Sequence, residues 1–267
     1  MKTIRRILTA LLVAVGLLLA GAFAVVALDT VFGAQVTDYT NVTYRAADGT
    51  TLRGYLAQPP GTGPFPAVLM VHEWWGLNAE IVEMADKLAA EGYVVLAPDT
   101  YRGQTTAQIP RALLLRLTTP PDRADADMQA AFDFLTVLDT VNARRVGVMG
   151  FCYGGGVALR HGVNNPAIRA TINLYGDTID DPAAFGALLA PGAGPVLGIF
   201  GAQDQQIPLT RVRAFEAALN AAGIASTVTV YDGVGHAFVN PAGIAAGGPP
   251  AEAWAQILAF LNEALRG

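Results

Sequence analysis

Polar and apolar positions sort the chain into three kinds of stretch. From Ile7 to Leu28 the only hydroxyl is Thr9 and there is no charge, while Lys2, Arg5 and Arg6 precede the run. As a helix rising 1.5 Å per residue it reaches about 33 Å, enough to cross a hydrocarbon layer. Short unbroken apolar runs follow at Phe65 to His72, Tyr93 to Ala97, Arg145 to Gly150, Ile168 to Tyr175 and Pro195 to Gly201. Such runs, apolar without alternation and only strand-long, predict strands buried on both faces, as in a parallel sheet. Between and after them, Asn78 to Glu91, Asp122 to Leu138, Leu209 to Ala222 and Ala251 to Leu265 are compatible with helices.

Strand and helix in alternation argue for the α/β class, with a mostly parallel central sheet covered by helices on both faces. Ser226 to Tyr231 reads as a further strand, and Val42 to Arg45 with Thr51 to Ala57 flank Asp48-Gly49 as a hairpin would. The Pro/Gly-rich stretch Gln58 to Pro66 reads as a loop within one domain. The expected organisation is therefore an N-terminal hydrophobic helix, serving as membrane anchor or signal segment, in residues 1–35, and a single α/β domain in 36–267.

Composition narrows the chemistry. The formal net charge is −5 with no basic cluster beyond the N-terminus, which argues against nucleic acid as a partner. Gly154-Gly155-Gly156 lacks the lysine and hydroxyl of a phosphate loop, and His72 and His236 lack suitably spaced metal-ligand partners. Neither a metal nor a cofactor is expected. One cysteine among 267 residues excludes an intrachain disulfide.

That cysteine is the most informative residue. Cys152 stands in Gly150-Phe151-Cys152-Tyr153-Gly154-Gly155, where an apolar strand breaks at glycine and a helix-compatible segment follows. Small flanking residues let a chain turn sharply and hold a nucleophile above a sheet, the sequence form G-x-S-x-G with sulfur in place of oxygen. A thiol nucleophile needs a base, and the histidines are His72, His161 and His236. His161 lies nine residues past Cys152, about 13 Å along the same helix, and is expected at the surface or as a cap. His236 sits in the glycine-rich loop after Tyr231, where a base belongs. A carboxylate should fix its tautomer. Asp204, at the end of the Pro195 to Gly201 strand, is the first candidate and Asp177, after the Ile168 to Tyr175 strand, is its rival.

The motifs His72-Glu73-Trp74-Trp75-Gly76-Leu77-Asn78, Ala97-Pro98-Asp99-Thr100-Tyr101, Gly150 to Gly155 and Gly235-His236-Ala237-Phe238 together resemble the dienelactone hydrolase family, from about Tyr39 to the C-terminus. The resemblance implies an α/β-hydrolase fold and a Cys-His-Asp triad of Cys152, His236 and Asp204. It gives Glu73 the role of holding the resting thiol until substrate releases it, which would protect the sulfur from oxidation. By analogy of fold, the backbone N–H groups of Tyr153 and Trp74 would form the oxyanion hole. Trp74, Trp75 and Tyr101 are candidates for an apolar pocket wall.

The chain departs from the family where substrate is recognised. Members that cleave dienelactone are expected to clamp its carboxylate with two arginines. Here Asn240 occupies one position and Arg102 lies one residue short of the other. Hydrolysis of an ester, lactone or thioester, a small-molecule substrate in each case, is therefore the expectation, without a commitment to dienelactone. Two other classes stay open: a redox or stress protein using the thiol of Cys152, and a membrane-tethered binding module without turnover. The basic residues before the apolar run would leave the N-terminus in the cytoplasm and the catalytic domain on the extracytoplasmic side. Cleavage after Ala24 or Ala27 would instead release the domain.

Overall fold

The computed structural model describes residues 2–267. Eight strands form one sheet: β1 (Val42–Arg45), β2 (Thr51–Ala57), β3 (Phe65–Val71), β4 (Val94–Pro98), β5 (Val141–Phe151), β6 (Ala170–Leu174), β7 (Val196–Gly201) and β8 (Ser226–Tyr231). Their spatial order is β1-β2-β4-β3-β5-β6-β7-β8. The β1–β2 and β2–β4 pairs are antiparallel, and β3 to β8 run parallel to one another. The β1–β2 turn holds Asp48, whose Oδ1 accepts from the Thr50 N–H at 2.8 Å, and Gly49 at φ 83°. The expected hairpin is thus present.

Helices are α1 (Lys2–Phe32), α2 (Ala79–Ala90), α3 (Ile109–Thr118), α4 (Pro121–Thr136), α5 (Tyr153–Asn164), α6 (Leu209–Ala221), α7 (Pro241–Ala246) and α8 (Pro249–Arg266). Local chemistry sets their ends. Asn78 Oδ1 accepts from the Ile81 N–H at 3.1 Å and starts α2, and Gly92 at φ 88° follows its last turn. Proline opens α4 and α8, where a missing N–H costs nothing.

The two faces of β3 supply two cores. Val68 and Met70 join Ile81, Met84 and Leu88 of α2 and Ile257 and Leu261 of α8. Ala67, Leu69 and Val71 join Met128, Ala131 and Leu135 of α4 and Val157 and Ala158 of α5. Both faces being covered is why the parallel strands read as continuous apolar runs.

Some elements differ from the sequence expectation. Helices α3 and α7 and the 3-10 turns at Val36–Tyr39 and Pro182–Leu189 carry no clear periodic signal. His161, expected at the surface, is buried and packs against Phe132 at 6.1 Å. Burial lowers its pKa to about 4 against the opposing charge of Asp133, so it is a neutral core residue.

Helix α1 contains no buried residue, yet its end is fastened to the domain. Asp29 Oδ2 receives Arg111 Nη1 at 2.9 Å and the Thr106 hydroxyl at 2.5 Å, and Arg111 also donates to the Asp29 carbonyl at 2.8 Å. Both charged side chains are at most a tenth exposed. A boundary at residues 35/36 therefore cuts across a buried ion pair.

Candidate active site

The parallel strands deliver the candidate residues to one edge of the sheet. Cys152 follows β5 directly and has φ 53° and ψ −116°, a conformation that L-residues avoid. Its N–H donates to the Leu174 carbonyl at 3.0 Å, which pins the turn to β6. Glycine is required two residues on, because a Cβ on Gly154 would collide with the carbonyl oxygens of Val71 and His72. This is the geometry of a nucleophile elbow.

His236 lies in the loop after β8, and its Nδ1 is 2.7 Å from Asp204 Oδ2. The other carboxylate oxygen, Oδ1, accepts from the N–H groups of Gln206 at 2.7 Å and Ile207 at 3.0 Å. An acceptor fixed in this way leaves Nδ1 protonated and Nε2 free to take a proton. Nε2 is buried and has no hydrogen-bond partner among the described residues. The Tyr175 ring meets the imidazole edge-on at 5.2 Å, and Tyr175 is itself held by its hydroxyl donating to the Val239 carbonyl at 3.1 Å. Asp177, the rival acid, is exposed and pairs with Arg211 at 3.1 Å and Arg116 at 3.7 Å.

Cys152 and His236 line the same cavity of about 220 Å³, with Trp74, Tyr153, Tyr175, Gln206, Arg116 and Arg211 among its walls. The sulfur makes no hydrogen bond to Nε2. Burial pushes the thiol pKa up to about 12, and the charge of Glu73 adds to that effect. The backbone N–H groups of Tyr153 and Trp74 act on the sulfur in the opposite sense, which puts both expected oxyanion donors beside it. Burial also raises Glu73 to about 7, with Glu80 reinforcing the shift. The resting cysteine is thus a neutral thiol next to a carboxyl group that titrates near neutrality.

His72 supports this loop. Its Nδ1 is 2.6 Å from the Glu73 carbonyl, which can only accept, and its Nε2 accepts from the Thr100 N–H at 3.2 Å. Burial lowers its pKa to about 4, so a neutral imidazole ties the segment carrying Glu73 and Trp74 to the one carrying Asp99. Asp99 in turn accepts from Tyr101 N–H at 3.0 Å and Gly103 N–H at 2.5 Å.

Four of the expected substrate contacts lie elsewhere. Arg102 donates through Nε and Nη2 to the buried Asp127 at 2.9 and 2.7 Å, so its guanidinium is already committed. Tyr101 is buried against His72 and Tyr153. Asn240 caps α7 by accepting from the Gly243 N–H at 2.8 Å. Trp75 packs at a tilt of 58° against Trp74, with ring centroids 4.8 Å apart, outside the cavity wall. The cationic groups that do line the cavity are Arg116 of α3 and Arg211 of α6. No motif marks either one, since tertiary packing alone brings them there.

An eight-stranded, mostly parallel sheet with an elbow after β5 and a histidine–aspartate pair at the same edge defines an α/β-hydrolase. The dienelactone hydrolase family matches residues 52–265, and the chain belongs to that family. It is 33% identical over 194 residues to the "Putative carboxymethylenebutenolidase" of Methylorubrum extorquens, covering 69% of this chain and 67% of that one. The Escherichia coli K12 relative of the same name is 30% identical over 218 residues, covering 77% and 78%. Among solved structures, the chain superposes on one titled "m3DLH" with TM-score 0.73 and 26% identity, covering 85% of this chain and 99% of that one. A Klebsiella pneumoniae structure titled "Putative Dienelactone Hydrolase" gives TM-score 0.69 and 26% identity, covering 83% and 99%. The protein is a hydrolase acting on ester bonds.

Proposed function

We propose that the protein hydrolyses an ester, lactone or thioester through Cys152, His236 and Asp204 by way of a thioacyl-enzyme. The observation that carries this reading is the Asp204–His236 pair, which leaves Nε2 without a partner on a histidine that lines the same cavity as Cys152. Substrate entry would displace the sulfur from Glu73 and the two N–H groups toward Nε2. His236 then takes the thiol proton, and the sulfur attacks the acyl carbon, forming a C–S bond. As the C–O bond (C–S in a thioester) breaks, the leaving oxygen or sulfur receives the proton from Nε2. The N–H groups of Tyr153 and Trp74, vacated by the sulfur, would donate to the oxyanion. Water, deprotonated by His236, attacks the thioester and restores the thiol.

The supporting experiment uses the full chain in detergent with short aryl esters. A burst of phenolate should accompany an acyl adduct on Cys152 detected by mass spectrometry, and Cys152→Ala should abolish both. Unchanged turnover in Cys152→Ala overturns the assignment.

For substrate, Arg116 and Arg211 supply positive charge where the expected arginine positions do not. Both engage the exposed Asp177, which a substrate carboxylate could replace. Lactones and esters bearing a carboxylate, the chemistry suggested by the relatives' names, are thus compatible with the cavity.

We further infer that α1 is retained as a membrane anchor, because its apolar run from Ile7 to Leu28 is longer than a signal core of about 7 to 15 residues. The buried Asp29–Arg111 pair, which lies beyond both cleavage positions, then ties the foot of the anchor to the hydrolase domain. In a bacterial host the chain should stay with membranes in alkaline carbonate, with its N-terminal residues intact by mass. Recovery of a soluble chain beginning near Leu28 overturns this.

A further inference from the structure

The helix that receives α1 also carries an uncovered apolar face. On α3, Ile109 is 62% exposed, Leu113 48%, Leu114 45% and Leu117 74%. At about 100° per residue these four fall within an arc of about 140°. The remaining positions are occupied differently: Ala112 and Leu115 are buried, and Arg111 is locked onto Asp29. A ten-residue helix therefore exposes large apolar side chains that the protein's own core does not use.

Its neighbour indicates what covers that face. The first charged residue after the apolar run Ile7 to Leu28 is Asp29, and Asp29 is the residue that holds α3. Val25, Leu28 and Phe32 of α1 share a groove with Ala107 and Gln108, which lead into α3. Where α1 leaves a hydrocarbon layer, α3 is thus already in contact with it. Arg116 follows Arg111 by about 8 Å along the α3 axis, and its guanidinium lies over the Tyr153 ring at 5.1 Å at the cavity wall.

We propose that α3 lies on the bilayer surface, with Ile109, Leu113, Leu114 and Leu117 seated in the headgroup and upper acyl region of the lipid. The catalytic cavity then opens beside the membrane, and its substrates are esters or lactones that partition into lipid. The docking stands apart from the catalytic reading, while its consequence for substrate rests on that reading. Short interfacial helices of this kind bind through buried apolar area and fix a peripheral domain's orientation.

The test replaces the only cysteine by Cys152→Ser in the full chain and introduces Leu117→Cys, labelled with an environment-sensitive fluorophore. The labelled protein is reconstituted in phosphatidylcholine–phosphatidylglycerol vesicles, some with bromine-substituted acyl chains. Val137→Cys is the control, since it precedes β5 at the far end of the sheet, about 36 Å of strand away from Cys152. Bromolipid should quench position 117 at least threefold more than position 137. Equal quenching overturns the proposal, as does a label shielded from aqueous iodide, untouched by bromolipid and cross-linked to a second copy. Neither readout requires turnover.

A second variant, Leu113→Asn with Leu117→Asn and Cys152 intact, addresses substrate access. Its kcat/KM for an ester dissolved in the vesicles should fall about tenfold, with turnover of a short water-soluble ester changed less than twofold. An equal loss on both substrates, or no loss on either, overturns access from the membrane. If the unmutated chain turns over neither ester, the hydrolytic reading fails and the quenching result still decides the docking.

Discussion

Asp204 and His236 are joined at 2.7 Å through Oδ2 and Nδ1, and the remaining carboxylate oxygen is held by two backbone N–H groups. The acid is therefore immobilised from both sides and its orientation of the ring is built into the loop after β7. Asp204→Asn can present an amide N–H to Nδ1 and reverse the tautomer. We expect kcat for a short aryl ester to drop by about 10²- to 10⁴-fold with KM little changed. Asp177→Asn, in the exposed ion pair, should leave the neutral ester within about threefold of wild type.

The reactivity of the thiol reports on Glu73. Its negative charge disfavours the thiolate, so Glu73→Gln should lower the Cys152 pKa from about 12. Alkylation by iodoacetamide at pH 8 should then accelerate by about tenfold, one pKa unit corresponding to a factor of ten in thiolate. Slower or unchanged alkylation would contradict the electrostatic coupling.

Glu73 also makes stability depend on pH. Its folded pKa is about 7 against an ordinary 4.5, so between these values the folded protein binds more protons than the unfolded chain. Stability then falls as pH rises through that window, by up to about 3 kcal/mol for this group. Glu73→Gln should flatten the decline between pH 4.5 and 7 and raise the thermal midpoint at pH 8, as measured on the full chain in detergent.

Removing one member of the buried pair at the foot of α1 leaves the other charge uncompensated. Arg111→Ala should destabilise the hydrolase domain by about 3 to 5 kcal/mol. A chain starting at residue 36 should show a comparable loss relative to one starting at residue 28, by denaturant unfolding.

Arg211 should matter only for charged substrates. Arg211→Gln should raise KM about three- to tenfold for an ester carrying a carboxylate near its acyl group, the loss of one half-exposed charge-assisted hydrogen bond, and leave a neutral ester unaffected.

Much of the frame was legible because buried parallel strands announce themselves as apolar runs. Phe65 to His72 and Pro195 to Gly201 match β3 and β7 to within a residue. The elbow and the histidine loop were legible because their chemistry needs particular residues at particular turns. Helix α3 was not, since its segment lacks a clean period: one side of it contacts Asp29 and the other is bare. Arg102 misled for a related reason. A guanidinium is assigned by its nearest carboxylate, and Asp127 lies 25 residues away in sequence. Arg116 and Arg211 reach the cavity from two helices that nothing local connects.

The absent side chain at Gly154 has a reach beyond its own turn. The carbonyl oxygens that a methyl there would strike belong to Val71 and His72, just upstream of Trp74, while Tyr153 precedes Gly154 on α5. The two backbone N–H groups proposed to meet the oxyanion are therefore gauged by one missing carbon: an alanine at 154 would wedge the segments that carry them apart without touching the thiol or the imidazole.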